Sequence, residues 1–439
     1  MRYYTDLHSH SRFARACSAN LNLPNLARAC VQKGIGIMGT GDFTHPTWFG
    51  EIQQQLERSE HQGLYRLKQE HASGPERKVL FMATVEVATF LGTPQGTKKI
   101  HHLIFAPSLE AAGQINDALA QRWKKALPVD GRPMLANCSS AELVERVKQA
   151  SPQAEIVAAH AWTPWFGVFG SKGGYNSIKE AYQDQAPKVL GVETGMSSTP
   201  AMNWRIPELD NYTIISGSDL HSPNPWRIGR ECCVLEFDSA GLSYPAIMNA
   251  LRERDKRHFV QTIETDPGYG KYHVDGHRAC GVSLAPEQSK ELGGQCPQCK
   301  RPLTIGVLAR IKELAARPEG YQPAHAIPFQ SPLPLHELLA AVYRTQVTTR
   351  KVAEPYQKLI AHFGNEFAVL LDAPLEQIQQ VVHAKVARAI LLNRAGQVPV
   401  KPGYDGVYGE AYLPDEYSLA PDKAPKTQPK AQTALDEFT

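Results

Sequence analysis

Short apolar runs alternate with amphipathic stretches over roughly the first 265 residues of the chain. The runs fall at 35–40, 79–87, 100–105, 156–159, 189–192, 213–217 and 232–237, and their length and composition predict strands. Between them, 23–32, 109–127, 141–150 and 244–254 carry apolar positions three or four apart with charges between, which predicts helices. Such alternation predicts an α/β fold with largely parallel strands, and seven units of this kind suit a closed or nearly closed barrel. Around residue 266 the texture changes to Gly, His, Cys and Pro without apolar periodicity, which marks a small separate module to about 304. Beyond it Ile305, Leu308, Ile311 and Leu314 recur at helical spacing, and so do Leu375, Ile378, Val382, Val386 and Ile390. Asp372 and Pro374 are placed to start that last helix. The expected organisation is a barrel over 1–265, a module over 266–304, a helical region over 305–400 and an extended or disordered tail over 401–439, where aliphatic residues are scarce.

Composition narrows the class. With 42% apolar and 21% charged residues in 439, the chain buries a substantial core and is neither a disordered polymer nor a collagen-like one. It contains no apolar run of about 18 residues, and its opening Met1-Arg2-Tyr3-Tyr4-Thr5-Asp6 lacks the basic-then-apolar character of a secretory leader. A cytoplasmic protein with no membrane partner is expected. The net charge of +3 leaves any affinity for phosphate to local patches.

Eight cysteines in such a chain point to metal rather than to a disulfide framework. Cys17, Cys30, Cys138, Cys232 and Cys233 lie scattered in apolar surroundings and read as small buried residues. Cys296-Pro297-Gln298-Cys299 is different: chance supplies only about 0.15 Cys-x-x-Cys in this composition, and Cys280 stands upstream. A structural zinc is expected on Cys280, Cys296 and Cys299, with His277 as fourth ligand and His273 as the alternative. Basic residues outnumber acidic ones by seven to four between 266 and 312, which suits a module lying on a nucleic-acid backbone.

The first region holds a second set of candidate ligands. His8 and His10 share one face of an extended segment, though about 0.6 His-x-His is expected by chance among sixteen histidines. What raises their weight is the company they keep. Asp42 and His45 follow the run at 35–40, Glu86 follows 79–82, and His102 lies within 100–105. His160 ends the run at 156–159, and Asp219 and His221 close that at 213–217. Strand ends converge on one face of an α/β barrel, so these residues are expected to meet. Imidazole and carboxylate together suit Zn, Mn, Fe or Mg and a hydrolytic centre of more than one ion. Of the neighbours His101 and His102, His102 is expected to face inward, with the reverse left open.

The order His8-x-His10, Thr40-Gly41-Asp42, Glu86, His102-Leu103, His160 and Asp219-x-His221 resembles the polymerase and histidinol phosphatase (PHP) superfamily of metal-dependent phosphoesterases. Within it, Gly39-Thr40-Gly41-Asp42-Phe43-Thr44-His45-Pro46 is similar to the endonuclease Q family. So are the Cys-rich module followed by Leu303-Thr304-Ile305-Gly306-Val307, and Lys401-Pro402-Gly403-Tyr404-Asp405-Gly406-Val407-Tyr408-Gly409. The resemblance implies a distorted (β/α)7 barrel with divalent metals (Zn, Mg or Mn) on His8, His10, Asp42, Glu86, His102, His160, Asp219 and His221, of which His8, His10, Asp219 and His221 are catalytic. Asp42 stands where the superfamily commonly has His, and the ligand expected soon after the first pair is missing from 11–19. His45 either replaces that ligand or orients Asp42. Implied too is metal-assisted hydrolysis of DNA 5′ of deaminated bases (hypoxanthine, uracil, xanthine) and abasic sites, with replication or repair proteins as further partners.

After His160 comes a long aromatic and glycine-rich stretch, in which Trp162, Trp165, Phe166, Lys172, Tyr175 and Asn176 are positioned to meet bases and phosphates. Arg227 and Arg230 follow Asp219-x-His221 and are expected to meet phosphate as well. Two rival readings stand beside the endonuclease. A phosphatase of small phosphomonoesters needs only the barrel, and a non-catalytic nucleic-acid-binding scaffold would follow from a degenerate ligand set.

Overall fold

A computed structural model describes residues 1–419 apart from Ser73, Gln95, Gln121 and residues 123–129. Nine strands carry the barrel: β1 Arg2–Asp6, β2 Ile35–Gly39, β3 Leu80–Thr93, β4 Gly96–Ala106, β5 Glu155–Ala158, β6 Gly191–Glu193, β7 Thr213–Ile215, β8 Cys232–Glu236 and β9 Phe259–Ile263. They lie side by side in the order β7-β6-β5-β4-β3-β2-β1-β8-β9. All seven expected runs are strands; β1 and β9 are additional. The sheet curls because the chain beyond β1 meets the chain beyond β7 in an isolated parallel bridge, Ser9 with Leu220.

Pairing is mixed rather than largely parallel. β3 and β4 form one long antiparallel hairpin, β4 is also antiparallel to β5, and β1–β8 and β8–β9 are antiparallel. An antiparallel hairpin needs no crossover helix, and apolar periodicity is blind to this choice.

Leu7, Ile37, Met82, Leu103, Val157, Ile215 and Leu235 fill the inside of the curl, while a second apolar layer packs helices on its outside. Helix Leu23–Lys33 shows how local sequence builds that layer. Asn22 caps it by accepting from Asn25 N, and Gly34 ends it at φ 98°. The helix expected over 109–127 is Leu109–Ala120; most of the remainder lies outside the described residues.

The helical region has its own core of Leu338, Leu339, Tyr356, Leu359, Val386 and Ile390. Its last expected helix is two, Leu375–Val381 and Ala384–Arg394, because the chain turns extended at Val382 and His383 restarts it. A fully buried ion pair, Lys33 Nζ to Glu366 Oε1 at 2.6 Å, joins this region to the barrel. The expected tail is ordered structure as far as residue 419. Val400–Lys401 pairs with Glu410–Ala411, Val274 N donates to Gly403 O, and Thr304 Oγ1 donates to Asp405 Oδ1. Few aliphatic residues are needed there, because backbone bonds to the 268–278 segment hold it; residues 420–439 lie outside the described residues. The eight cysteines are all free, and no helix among the described residues is long and apolar enough to cross a membrane.

Candidate metal-dependent active site

The candidate centre forms where strand ends converge. The chain leaves β2 through Asp42, β5 through His160 and β7 through Asp219, and these residues take φ of 46°, 28° and 49°. Left-handed backbone costs a non-glycine residue about 1–3 kcal/mol and collects at functional sites. Here it turns the chain out of the sheet beside the site. Gly217 is required for a different reason, since a Cβ there would lie 2.6 Å from both His8 Cβ and Glu193 Oε1.

Two sets of ligand atoms result, His8 with His10 and Asp219, and Glu86 with His101 and His160, the atoms of each set lying within 4.8 Å of one another. Asp219 Oδ1 is 3.4 Å from His8 Nε2 and 3.2 Å from His10 Nε2. Glu86 links the sets, with Oε1 3.0 Å from His160 Nε2 and 3.7 Å from His8 Nε2, and Oε2 3.5 Å from His10 Nε2. His8 Nε2 is buried and without a hydrogen-bond partner. An orphaned imidazole nitrogen facing carboxylates fits a divalent cation, and so does the donor set.

A layer of partners holds these ligands in place. His8 Nδ1 donates to Glu193 at 2.9 Å, and Glu193 also accepts the backbone N–H of His160 at 2.8 Å. His10 Nδ1 donates to Asp42 Oδ1 at 3.0 Å, whose other oxygen accepts from Ser11 N and Ser11 Oγ. Thr163 Oγ1 meets His160 Nδ1 at 2.8 Å, and Arg132 pairs with Glu86 Oε2 at 3.1 Å. Such partners fix the tautomer that leaves Nε2 free for a metal.

The electrostatics follow from burial and from crowded carboxylates. Burial works against a charged His8, but Glu193, Asp219 and Glu86 outweigh it and raise its pKa to about 9. His10, buried beside Asp42 and Asp219, is raised to about 10. Asp219, also buried, is held well below the usual carboxylate range by His221, His8 and His10. A cation is strongly favoured at this spot.

Several expected ligands stand elsewhere. His102 faces away, with Nε2 on Thr89 Oγ1 and Nδ1 on Tyr182 OH, each at 2.9 Å, and His101 takes the inward position. The β3–β4 register decides this: Ala88 pairs with His101 and Glu86 with Leu103, so Glu86 and His101 share a face. Asp42 belongs to neither ligand set and acts on His10 instead. The His45 side chain belongs to neither ligand set but caps helix Pro46–Gln55 and stacks on Phe13, and its tie to Asp42 is through the backbone, His45 N donating to Asp42 O at 2.9 Å. His221 sits at the edge, its ring 4.7 Å from that of His10 and its Nδ1 donating to Asp219 O at 2.9 Å. Glu193, Arg132 and Thr163 were missed, since none belongs to a motif recognisable in sequence.

Beside Asp219 and His221 opens a cavity of about 530 Å³, lined also by Arg227, Arg230, Lys271, Tyr272 and Tyr408. Arg227 and Arg230 thus line the same cavity as Asp219, with Arg230 Nε and Nη2 donating to Ser218 O at 3.1 and 2.9 Å. Trp165 is 41% exposed and sets its edge against Tyr272. Lys172 is exposed too. Trp162, by contrast, is buried with Nε1 on Asn203 Oδ1, and Tyr175 is buried beneath Lys98. Phe166 packs on His101, and Asn176 accepts from Arg310. These four hold the loop together; apolar rings in a glycine-rich stretch fold onto one another before they meet solvent.

The cysteine module brings His277, Cys280, Cys296 and Cys299 together, their ligand atoms within 4.8 Å of one another. Burial opposes the Cys296 thiolate, yet the N–H groups of Cys299 and Gln298 bring its pKa down to about 7. Three sulfurs and an imidazole at this spacing fit tetrahedral zinc. His273 instead lines the cavity beside Asp219.

Known proteins match up to 96% of the chain. A family model, the MJ0043 C-terminal domain, matches residues 334–397. The uncharacterized protein YqxK of Bacillus subtilis is 28% identical over 424 residues, 93% of this chain and 99% of YqxK. MJ0043 of Methanocaldococcus jannaschii is 30% identical over 254 residues, 57% of this chain, and the match spans about a third of that relative, 31% of its length. Among solved structures, the lesion-specific endonuclease PfuEndoQ of Pyrococcus furiosus superposes with a TM-score of 0.82 at 29% identity, covering 95% of this chain and 96% of its own. Endonuclease Q in complex with a 27-mer duplex substrate, with an abasic lesion at the active site, gives a TM-score of 0.82 at 29% identity over 96% of this chain and 98% of its own.

Proposed function

The chain belongs to the endonuclease Q family, and from that premise we propose that it is a metal-dependent, cytoplasmic DNA repair endonuclease hydrolysing the phosphodiester 5′ of deaminated bases (hypoxanthine, uracil, xanthine) and of abasic sites. The observation that carries this reading is the pair of ligand sets, His8–His10–Asp219 and Glu86–His101–His160, with Asp219 itself in the wall of a cavity that also has cationic and aromatic walls. Divalent ions held there supply Lewis acidity toward a phosphate and an activated nucleophile at neutral pH.

The chain's own residues do the rest. Arg227, Arg230 and Lys271 bind the phosphates on either side of the scissile bond. A lesion base swung out of the duplex enters the cavity, at a cost that is lower for a damaged pair. Tyr272, Trp165 and Tyr408 offer faces for stacking, and Tyr408 is held under Lys271 at 4.7 Å. Burial lowers the His221 pKa below its ordinary value against the pull of Asp219, and its Nδ1 donates to Asp219 O. His277, Cys280, Cys296 and Cys299 hold the structural zinc and shape the module that borders the cavity.

The test is incubation with Mg or Mn of end-labelled duplexes carrying one deoxyinosine, one deoxyuridine or one abasic site, beside an undamaged duplex and an Asp219→Asn control. A nick just 5′ of each lesion, absent from the control, is expected. Intact duplexes together with hydrolysis of small phosphomonoesters would leave only the phosphatase reading.

A further inference from the structure

The loop that follows His160 is gripped from outside the barrel. Its turns are packed backbone on backbone: a Cβ at Gly170 would come within 2.4 Å of Thr163 O, and one at Gly174 within 2.4 Å of Gly170 N. The segment 163–176 therefore responds to a displacement as one piece. Its near end touches both imidazoles of the second ligand set. Thr163 Oγ1 bonds His160 Nδ1, Phe166 O accepts the His101 N–H at 2.9 Å, and the Phe166 ring lies 4.3 Å from that of His101.

Its far end is held by Arg310, a buried residue of the helix Val307–Leu314. The guanidinium donates to Phe169 O at 3.0 Å, Tyr175 O at 3.1 Å and Asn176 Oδ1 at 2.6 Å. Glu313 on the same helix pairs with its remaining nitrogen at 2.7 Å. The helix is itself fixed at its start, where Gly306 N donates to Asp275 Oδ1 at 2.7 Å, two residues before His277 of the cysteine module. Planar five-donor geometry suits Arg, and not Lys, to three acceptors spread along one loop.

We propose that Arg310 is a positioning residue for the metal centre: through the 163–176 loop it sets where His101 and His160 stand relative to Glu86. Only the cleavage arm of its test rests on the endonuclease reading; the metal-binding arm stands alone. In full-length protein, Arg310→Met is expected to weaken Mn²⁺ binding at the barrel, followed by electron paramagnetic resonance of the free ion, by about tenfold, the size typical of groups that orient a ligand. It should lower kcat on a deoxyuridine duplex more than it raises KM, with the module's zinc retained, and Arg310→Lys should recover part of both.

Wild-type Mn²⁺ affinity and wild-type kcat in Arg310→Met, whatever its melting temperature, would overturn the proposal and leave the guanidinium a purely structural role. If Arg310→Met does not fold, Asn176→Ala removes the shortest of the three bonds from the exposed side. A few-fold loss of Mn²⁺ affinity there supports the proposal, and unchanged affinity overturns it. Should the wild-type protein cut no duplex, the endonuclease reading fails while the Mn²⁺ comparison still decides this one.

Discussion

The barrel centre and the cysteine module both gather metal-ligating side chains, yet they are built in opposite ways. Around the barrel centre Leu7, Met82, Leu103, Val157 and Ile215 pack into a core that stands without an ion, and Glu193, Asp42, Thr163 and Arg132 hold the ligands from behind. The module buries only Val282, Cys296 and Leu303 as its apolar cluster, with Cys299 exposed. In the first an ion is a reagent placed in a finished frame; in the second it substitutes for the missing core. Loss of metal should therefore silence one and unfold the other.

That contrast can be broken most sharply at Asp219. Asp219→Asn is expected to cut lesion cleavage by about 10²- to 10³-fold, the size of losing one group that stabilises charge at a reacting centre, while the melting curve and the zinc content of the module stay as in wild type. Next is Asp42→Ala, which leaves all six ligands intact but removes the acceptor that fixes His10. Barrel metal affinity should fall about 10- to 100-fold, measured by calorimetric titration. A wild-type value would mean that the frame is not set from behind.

Acidity probes the same centre. His8 and His10, with pKa values of about 9 and 10 in the metal-free protein, hold protons that an incoming ion must displace. Metal affinity is thus expected to rise with pH, by at least about tenfold per unit between pH 6 and 8 for one displaced proton. Flat affinity across that window would show that the ligands are already deprotonated. The smallest effect on the barrel itself is expected from Cys296→Ser. It should expose 266–304 to limited proteolysis and release the module's metal, and it should weaken duplex binding because Lys271 and Tyr272 lie in that segment. The barrel's own melting transition should stay, because the barrel keeps its own core.

The fold was largely legible because strands in a layered α/β protein are marked by apolar runs, and each run from 35–40 to 232–237 became a strand. Their direction was not legible. Nothing in 79–105 distinguishes a hairpin from a crossover, and with the hairpin went the choice between His101 and His102. His8 and His10 were readable from their spacing two apart in an extended segment, and Glu86, His160 and Asp219 from their places just beyond or within such runs. Glu193 was hidden because β6 is three residues long, and Arg132 because it reaches Glu86 from a loop. Trp162 and Tyr175 looked like ligands for a base, but a ring in a tight glycine-rich turn finds its neighbours first.

One pairing bears on the order in which the molecule can be finished. Gly403 and Asp405 bond to Val274 and Thr304, and Tyr404 lies where a side chain on Gly276 would have to sit. The ribosome thus makes all four ligands of the module about 100 residues before the strap that backs them, at roughly 5–20 residues per second. For those seconds the nascent module has its cysteines but not its support. A chain released at residue 400 would keep that half-built state for good, with its barrel complete and its thiols open to oxidation.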